Sequence, residues 1–276
     1  MTKKLANSLF LICFLLMGSM AMAQDKAEQL GWKLGAQAYT FNRFTLAEAL
    51  DKIDSCGLKY VECYPGQKIG GGIEGTMDFK MDAATRAKVL GLIKSKGLTL
   101  VAYGVVVPSS PADWRKLFEF AKAMGIEVIN SEPKDSDLDL VSSLCDEFKI
   151  HLAMHDHPKP SHYWHPDSVL VAIKGRSQYM GSCADIGHWV RSGLDPIECL
   201  KKLKGHVFSM HFKDLNEKSR RAHDVIWNTG TSNIPAIMAT MKEIGFKGPI
   251  SAEYEYHWDN SVPEVKQSVA NFRSLL

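Results

Sequence analysis

The chain carries almost no excess charge: 33 Lys and Arg against 31 Asp and Glu leave a formal +2 over 276 residues. A nucleic-acid-binding face needs concentrated basic charge, so DNA and RNA are not expected partners. Cysteine is scarce and poorly arranged for cross-linking. There are six, no two of them spaced as CxxC. Cys13 lies in a segment expected to be removed. Cys56, Cys63, Cys145, Cys183 and Cys199 remain, an odd number in apolar contexts, and read as buried thiols rather than a disulfide framework. No Gly-rich nucleotide loop follows the first predicted strand, and Gly70-Gly71-Gly72 lacks the GxGxxG spacing. Outside the first two dozen residues no apolar run approaches the roughly 20 residues that span a bilayer.

What is present is ordinary globular composition, 45% hydrophobic and 23% charged. The N-terminus stands apart. Lys3 and Lys4 precede an apolar run over 9–17, and Ala21-Met22-Ala23 forms an A-x-A cleavage site. We read 1–23 as a signal peptide, which predicts a mature chain from Gln24 that is periplasmic or secreted. Cys13 follows Ile12 rather than a small residue, so lipidation is not expected, and neither is a membrane anchor.

From residue 34 onward strand-like and helix-like segments alternate. The predicted strands are 34–40, 59–64, 98–107, 126–131, 150–154, 179–184, 206–210 and 249–252. Helices are predicted over 45–56, 82–96, 110–124, 136–148, 166–174, 195–205, 233–244 and 262–276. Their boundaries carry punctuation: Thr45 with Glu48 as a capping box, Pro196 at a first helical position, and glycines at 57, 97, 125, 205 and 245 just past helix ends. The strands are continuous apolar runs, as parallel strands buried on both faces should be. Eight strand–helix units without a linker predict a (β/α)8 TIM barrel, with 24–276 as one catalytic domain. An open doubly wound sheet is the alternative.

In such a barrel the C-terminal strand ends share one mouth. Read in order, those ends carry Glu62, Glu132, His155 with His157, Asp185 with His188, His211 with Lys213, and Glu253. Each has a bland reading, as an N-cap, a solvated loop histidine or a surface pair. Jointly they are not what a packing core supplies. Imidazole nitrogen with carboxylate oxygen and no thiolate suits one borderline divalent ion: Zn, Mn, Co or Ni. Asp185, His211, Glu253 and His155 are the expected ligands, with Glu132 as a fifth candidate. Tyr39, Phe41, Tyr64, Trp164, Trp189 and Trp227 fall in or near mouth loops, where aromatic faces could meet sugar C–H groups.

Four pieces, His155-Asp156-His157-Pro158, Asp185-Ile186-Gly187-His188, His211-Phe212-Lys213-Asp214 and Glu253-Tyr254-Glu255, give the mature chain a resemblance to the sugar phosphate isomerase/epimerase family, the xylose-isomerase-like barrels. The resemblance implies a metal held by Glu, Asp, His and Glu from strands five to eight. Asp185, His211 and Glu253 match the last three, and His188 matches a substrate-binding histidine. At the strand-five position the family's Glu is His155 here. Epimerases of that family use two metal-bound carboxylates on opposite faces of the sugar. With one replaced by imidazole, Glu253 is expected to act as a single base next to a carbonyl, with His157, His188 or Lys213 as acid. Glu62 and Trp189 are expected with His188 on the substrate, a small sugar or keto sugar, unphosphorylated because the protein is exported. This favours a keto-sugar lyase or hydratase, with a sugar isomerase/epimerase as the alternative. An endonuclease-like phosphodiesterase and a non-catalytic sugar binder rank lower. Homo-oligomerisation is left open.

Overall fold

The computed structural model describes residues 25–276. The expected signal peptide and its cleavage site lie outside the described residues. A one-turn helix, Lys26–Gln29, leads into the first strand.

Eight parallel strands close into a barrel. They are β1 Trp32–Gln37, β2 Tyr60–Cys63, β3 Thr99–Tyr103, β4 Val128–Ser131, β5 His151–His155, β6 Met180–Asp185, β7 Val207–Phe212 and β8 Gly248–Ala252. Their order around the wall is β1-β8-β7-β6-β5-β4-β3-β2, so sequential strands are neighbours and the last pairs with the first. The helices form an outer ring: α1 Leu46–Ser55, α2 Ala83–Ser95, α3 Pro111–Met124, α4 Leu138–Phe148, α5 Pro166–Ile173, α6 Ile186–Arg191, α7 Pro196–Lys202, α8 Ile234–Glu243 and α9 Val262–Ser274. This is the single TIM barrel that the strand–helix rhythm predicts.

Local chemistry sets the boundaries. The Thr45 hydroxyl accepts from the Glu48 N–H while the Glu48 side chain accepts from the Thr45 N–H, closing the capping box of α1. Ser110 caps α3, Pro111 opens it, and Gly125 ends it at φ 71°, a left-handed conformation that suits glycine. The apolar faces of the helices close on the outer faces of the strands, giving one continuous core that includes Trp32, Trp114, Leu117 and Phe272.

Inside the barrel the layers differ. A small apolar cluster holds Ala102, Val128, Ala153 and Cys183. Two residues further along the same pleat come Asn130, His155 and Asp185. The interior thus turns polar toward the mouth, and the site rests on that polar layer.

The structure differs from the sequence reading in several places, among them the unexpected helix α6, Ile186–Arg191, and the third strand, which stops at Tyr103. The glycine-rich stretch between the second predicted strand and the second predicted helix, given no element there, contains a hairpin, Lys68–Gly70 against Ile73–Thr76, turned by Gly70, Gly71 and Gly72, all at positive φ. The first strand stops at Gln37, because the Gln37 side chain accepts from the Tyr39 N–H and starts a short 3-10 turn, Ala38–Phe41. The polar segment after β7 contains a second small ladder, Asp214–Leu215 against Asp224–Val225. All five cysteines of the barrel are free and buried.

Candidate active site

Four side chains from neighbouring strands meet at the mouth. His155 ends β5, Asp185 ends β6, His211 lies in β7 and Glu253 follows β8. Asp185 and His211 are directly paired across β6 and β7. One ligand atom from each of the four lies within 4.8 Å of all the others. His155 Nε2 stands 3.1 Å from His211 Nδ1 and 3.7 Å from Asp185 Oδ2. His211 Nδ1 stands 2.9 Å from Glu253 Oε2 and 3.9 Å from Asp185 Oδ2.

Asp185 does two jobs. Its Oδ1 accepts from the His188 N–H at 2.8 Å and caps α6, while Oδ2 faces the other three groups. The helix begins directly after the strand, which is why His188 returns to the same mouth.

Glu62 fixes how His211 presents itself. It is fully buried beneath the site, and its two oxygens accept from Gln37 Nε2 at 3.0 Å, Asn130 Nδ2 at 2.6 Å and Ser251 Oγ at 2.7 Å. His211 Nε2 lies 3.1 Å from both oxygens. A carboxylate only accepts, so Nε2 carries the proton and Nδ1 turns a lone pair into the site. His155 Nε2, His211 Nδ1 and Glu253 Oε2 thus converge on one point, where a shared proton or another cation can bridge them.

That donor set fits a divalent ion: two nitrogens and two carboxylate oxygens at tetrahedral-edge spacing, with a carboxylate behind one imidazole. Protons compete for the same atoms. Burial opposes charging of His155, yet Asp185 and Glu132 raise its pKa to about 9. Burial opposes charging of His211 too, and Cys183, Glu253 and Glu62 together raise it well above the ordinary value. Burial alone would raise Glu253, but the positive charges of His211 and Lys213 hold it well below the usual carboxylate range. The Cys183 thiol is also within reach of His155 and His211, a neighbour that the strand pattern showed only as a buried thiol.

Glu132 sits beside this set, with one oxygen 3.5 Å from His155 Nδ1. It also accepts from His157 Nδ1, and from Ser161 Oγ at 2.9 Å. Burial would raise its carboxyl, but the hydrogen bonds from His155 and His157 drive it far below the usual range. His157 is half exposed and lines the mouth. Lys213, two residues beyond His211 on the same pleat, is fully buried against Asp185 and Glu253. His188 is buried, which pushes its pKa well down. Its Nδ1 accepts from Arg191 at 3.2 Å, so its proton sits on Nε2, 3.5 Å from Asp185 Oδ2.

Above the set is a cavity of about 380 Å³, lined by Tyr39, Tyr64, His157, His188, Glu253 and Glu255 among others. Tyr39 meets Tyr64 and Trp258 edge-on, with centroids 5.1 and 5.8 Å apart.

Some residues expected at the mouth lie elsewhere. Glu62 is beneath His211 with its oxygens fully engaged, so the structure does not present it to a substrate. Trp189 is 1% exposed in the core, on the buried face of α6, and Phe41 and Trp227 are core residues as well. Arg191 is held by Asp224 at 2.7 Å and Glu255 at 3.3 Å. The loop arginines Arg220 and Arg221, which were not assigned to the site, are exposed and outside the cavity lining. Gln37, Glu255 and Trp258 received no role in the sequence reading. Glu255 could have been found: it is two residues past Glu253, where the pleat returns to the same side.

The described residues include no helix long and apolar enough to cross a membrane. A family model described as xylose isomerase-like TIM barrel matches residues 50–275. Comparison with curated protein sequences gives no match. Among solved structures, an uncharacterised protein of Parabacteroides distasonis is 33% identical, over 87% of this chain and 97% of its own, with a TM-score of 0.72. D-allulose 3-epimerase of Methylomonas sp. in complex with D-allulose is 12% identical, over 89% and 97%, with a TM-score of 0.68. A xylose isomerase-like TIM-barrel protein of Mycobacterium smegmatis in complex with magnesium is 14% identical, over 88% and 96%, with a TM-score of 0.68. On the match over residues 50–275 and the 33% identity, the chain belongs to the xylose isomerase-like TIM-barrel family.

Proposed function

We propose that this protein is a metal-dependent isomerase or epimerase of a free sugar, acting by proton transfer at the carbon next to a carbonyl. The observation that carries the reading is the pair of proton-transfer groups facing the same cavity from well-separated strands. Glu253 follows β8 and His157 follows β5, three places apart in a ring of eight. Loss of the strand-five carboxylate to His155 argued for one base and hence for elimination or hydration. His157, backed by Glu132, supplies a second group on the other side and removes that argument. Similarity in fold to D-allulose 3-epimerase supports the same choice.

The chain's own residues divide the work. Glu253, kept ionised by its cationic neighbours, takes the proton. His157 returns one, with Glu132 holding its Nδ1–H. His188 offers Nε2–H to a substrate oxygen, since Arg191 occupies its other nitrogen. Such positioned acid–base groups are each worth about 10²–10⁴ in rate. A divalent ion held by His155, Asp185, His211 and Glu253 would supply Lewis-acid polarisation of the carbonyl.

The same geometry supports an unphosphorylated substrate. Arg191 is spent on Asp224 and Glu255, and Lys213 on Asp185, Glu253 and Glu255. A phosphate would meet carboxylates whose cations are already committed. An N-terminal segment that reads as a signal peptide supports an exported enzyme working where free sugars occur. The test is a parallel assay of the metal-loaded protein on ketoses and their phosphate esters, followed by carbon NMR. Isomer formation from the free sugars is expected; turnover of the esters alone would refute the reading.

A further inference from the structure

Lys213 occupies two of the oxygens that a metal would need. Its Nζ donates to Asp185 Oδ2 at 2.6 Å and to Glu253 Oε2 at 2.5 Å. These are the oxygens that face His211 Nδ1, at 3.9 and 2.9 Å. The lysine side chain is fully buried, so no water shares the ammonium. A divalent ion bound to the same oxygens, with the lysine unmoved, would lie at most about 4.7 Å from Nζ. Two like charges that close, in a site shielded from water, repel strongly.

A second perch is at hand. Glu255 Oε2 lies 3.1 Å from Nζ, and Glu255 lines the cavity without belonging to the metal-ligand set. The stem has room because Gly187 has no side chain: a Cβ there would come within 2.8 Å of Lys213 Cβ and 3.0 Å of Cδ.

We infer that the Lys213 ammonium and a divalent ion are alternative partners of Asp185 Oδ2 and Glu253 Oε2. The ion enters by displacing the ammonium toward Glu255 at the cavity wall. The inference rests on the reading of His155, Asp185, His211 and Glu253 as a metal set. It has two consequences. Without metal the two carboxylates keep a counter-ion and their places, so the site stays formed. With metal the ammonium stands at the wall of the substrate cavity, paired there with Glu255.

Two measurements on the purified full chain test it. The first is calorimetric titration with Zn²⁺ of the wild type and of Lys213→Met. The variant should bind about tenfold more tightly or better, because two charge-assisted hydrogen bonds no longer need to be broken. Equal or weaker binding would overturn the exchange. The second is lysine side-chain NMR of the ¹⁵N-labelled wild type, which holds even if the variant does not fold. A buried ammonium signal, slow to exchange with water, should move or vanish as Zn²⁺ is added. A signal unchanged at saturation would overturn the displacement while leaving the metal set standing. Absence of Zn²⁺ binding in both proteins would overturn the metal reading and the exchange together.

Discussion

Glu62 carries the most connected set of hydrogen bonds beneath the site, and replacing it should separate stability from metal binding. Four donors converge on its two oxygens: Gln37, Asn130, Ser251 and His211. In Glu62→Ala all four lose their acceptor in a buried layer. At about 1–3 kcal/mol for each unsatisfied group, a loss of about 4 kcal/mol or more is expected. That is a large share of the about 5–15 kcal/mol that holds an ordinary domain together. Glu62→Gln is gentler, because the amide can choose its orientation. With its oxygen toward Gln37 and Asn130, those two bonds survive, and its NH₂ can donate to the Ser251 hydroxyl, which rotates to accept. Only His211 Nε2–H then faces a donor in place of one of its two oxygens. Glu62→Gln should therefore cost about 1–2 kcal/mol in stability. Metal affinity should fall about 10–100-fold, because the imidazole loses the carboxylate that sets its tautomer. Urea unfolding monitored by far-UV circular dichroism and Zn²⁺ calorimetry read the two effects. Stability of Glu62→Ala within about 1 kcal/mol of wild type, or unchanged metal affinity in Glu62→Gln, would refute the role given to this layer.

Other substitutions probe separate parts of the account. In Gly181→Ala a Cβ near the start of β6 would stand 2.3 Å from the His206 carbonyl oxygen and 2.5 Å from the Phe208 ring. Unfolding should show a loss of about 1–3 kcal/mol, and an unchanged midpoint would mean that the barrel wall gives way more easily than its geometry shows. His151 packs on Phe208 with ring centroids 4.1 Å apart, its Nδ1 buried without a partner, and burial pushes its pKa down. Below the unfolded value of about 6.5 the unfolded chain binds the extra proton, so stability is lost as pH falls through that value. His151→Phe should flatten this slope between about pH 7.5 and pH 5.5 in denaturant titrations, and an unaltered slope would place the effect elsewhere. His157→Ala should slow product formation more than it slows exchange of the substrate proton that Glu253 removes. Equal slowing of both would mean that His157 only shapes the cavity.

Much of the barrel is readable in the sequence because its physics is local. Buried parallel strands appear as unbroken apolar runs, and Thr45 with Glu48, Ser110 with Pro111, and Gly125 mark helix ends by chemistry that needs no tertiary context. His155, Asp185, His211 and Glu253 are readable for a related reason: each stands at or within one residue of its strand's end, and closure of the barrel brings strand ends together. Depth is what one-dimensional reading lacks. Glu62 also stands just before a strand's end, but a side chain on the inner pleat can point at the mouth or sink into the interior. Only the packing of Gln37, Asn130 and Ser251 around it decides for the interior. Trp189 follows the mouth motif by one residue, and the helix that Asp185 caps turns it into the core. The hairpin over 68–76 was hidden because its glycines serve a turn rather than a flexible loop.

Glu253 is the group proposed to move a carbon-bound proton of a free sugar. The most direct measurement incubates metal-loaded wild type and Glu253→Gln with candidate ketoses in D₂O and follows deuterium at the carbon next to the carbonyl by NMR. Deuterium is expected there in the isomerised product of the wild type, with a fall of about 10²–10⁴ in that rate for the variant with its metal content retained. Product formed without deuterium at that carbon, or exchange in the variant as fast as in the wild type, would contradict it.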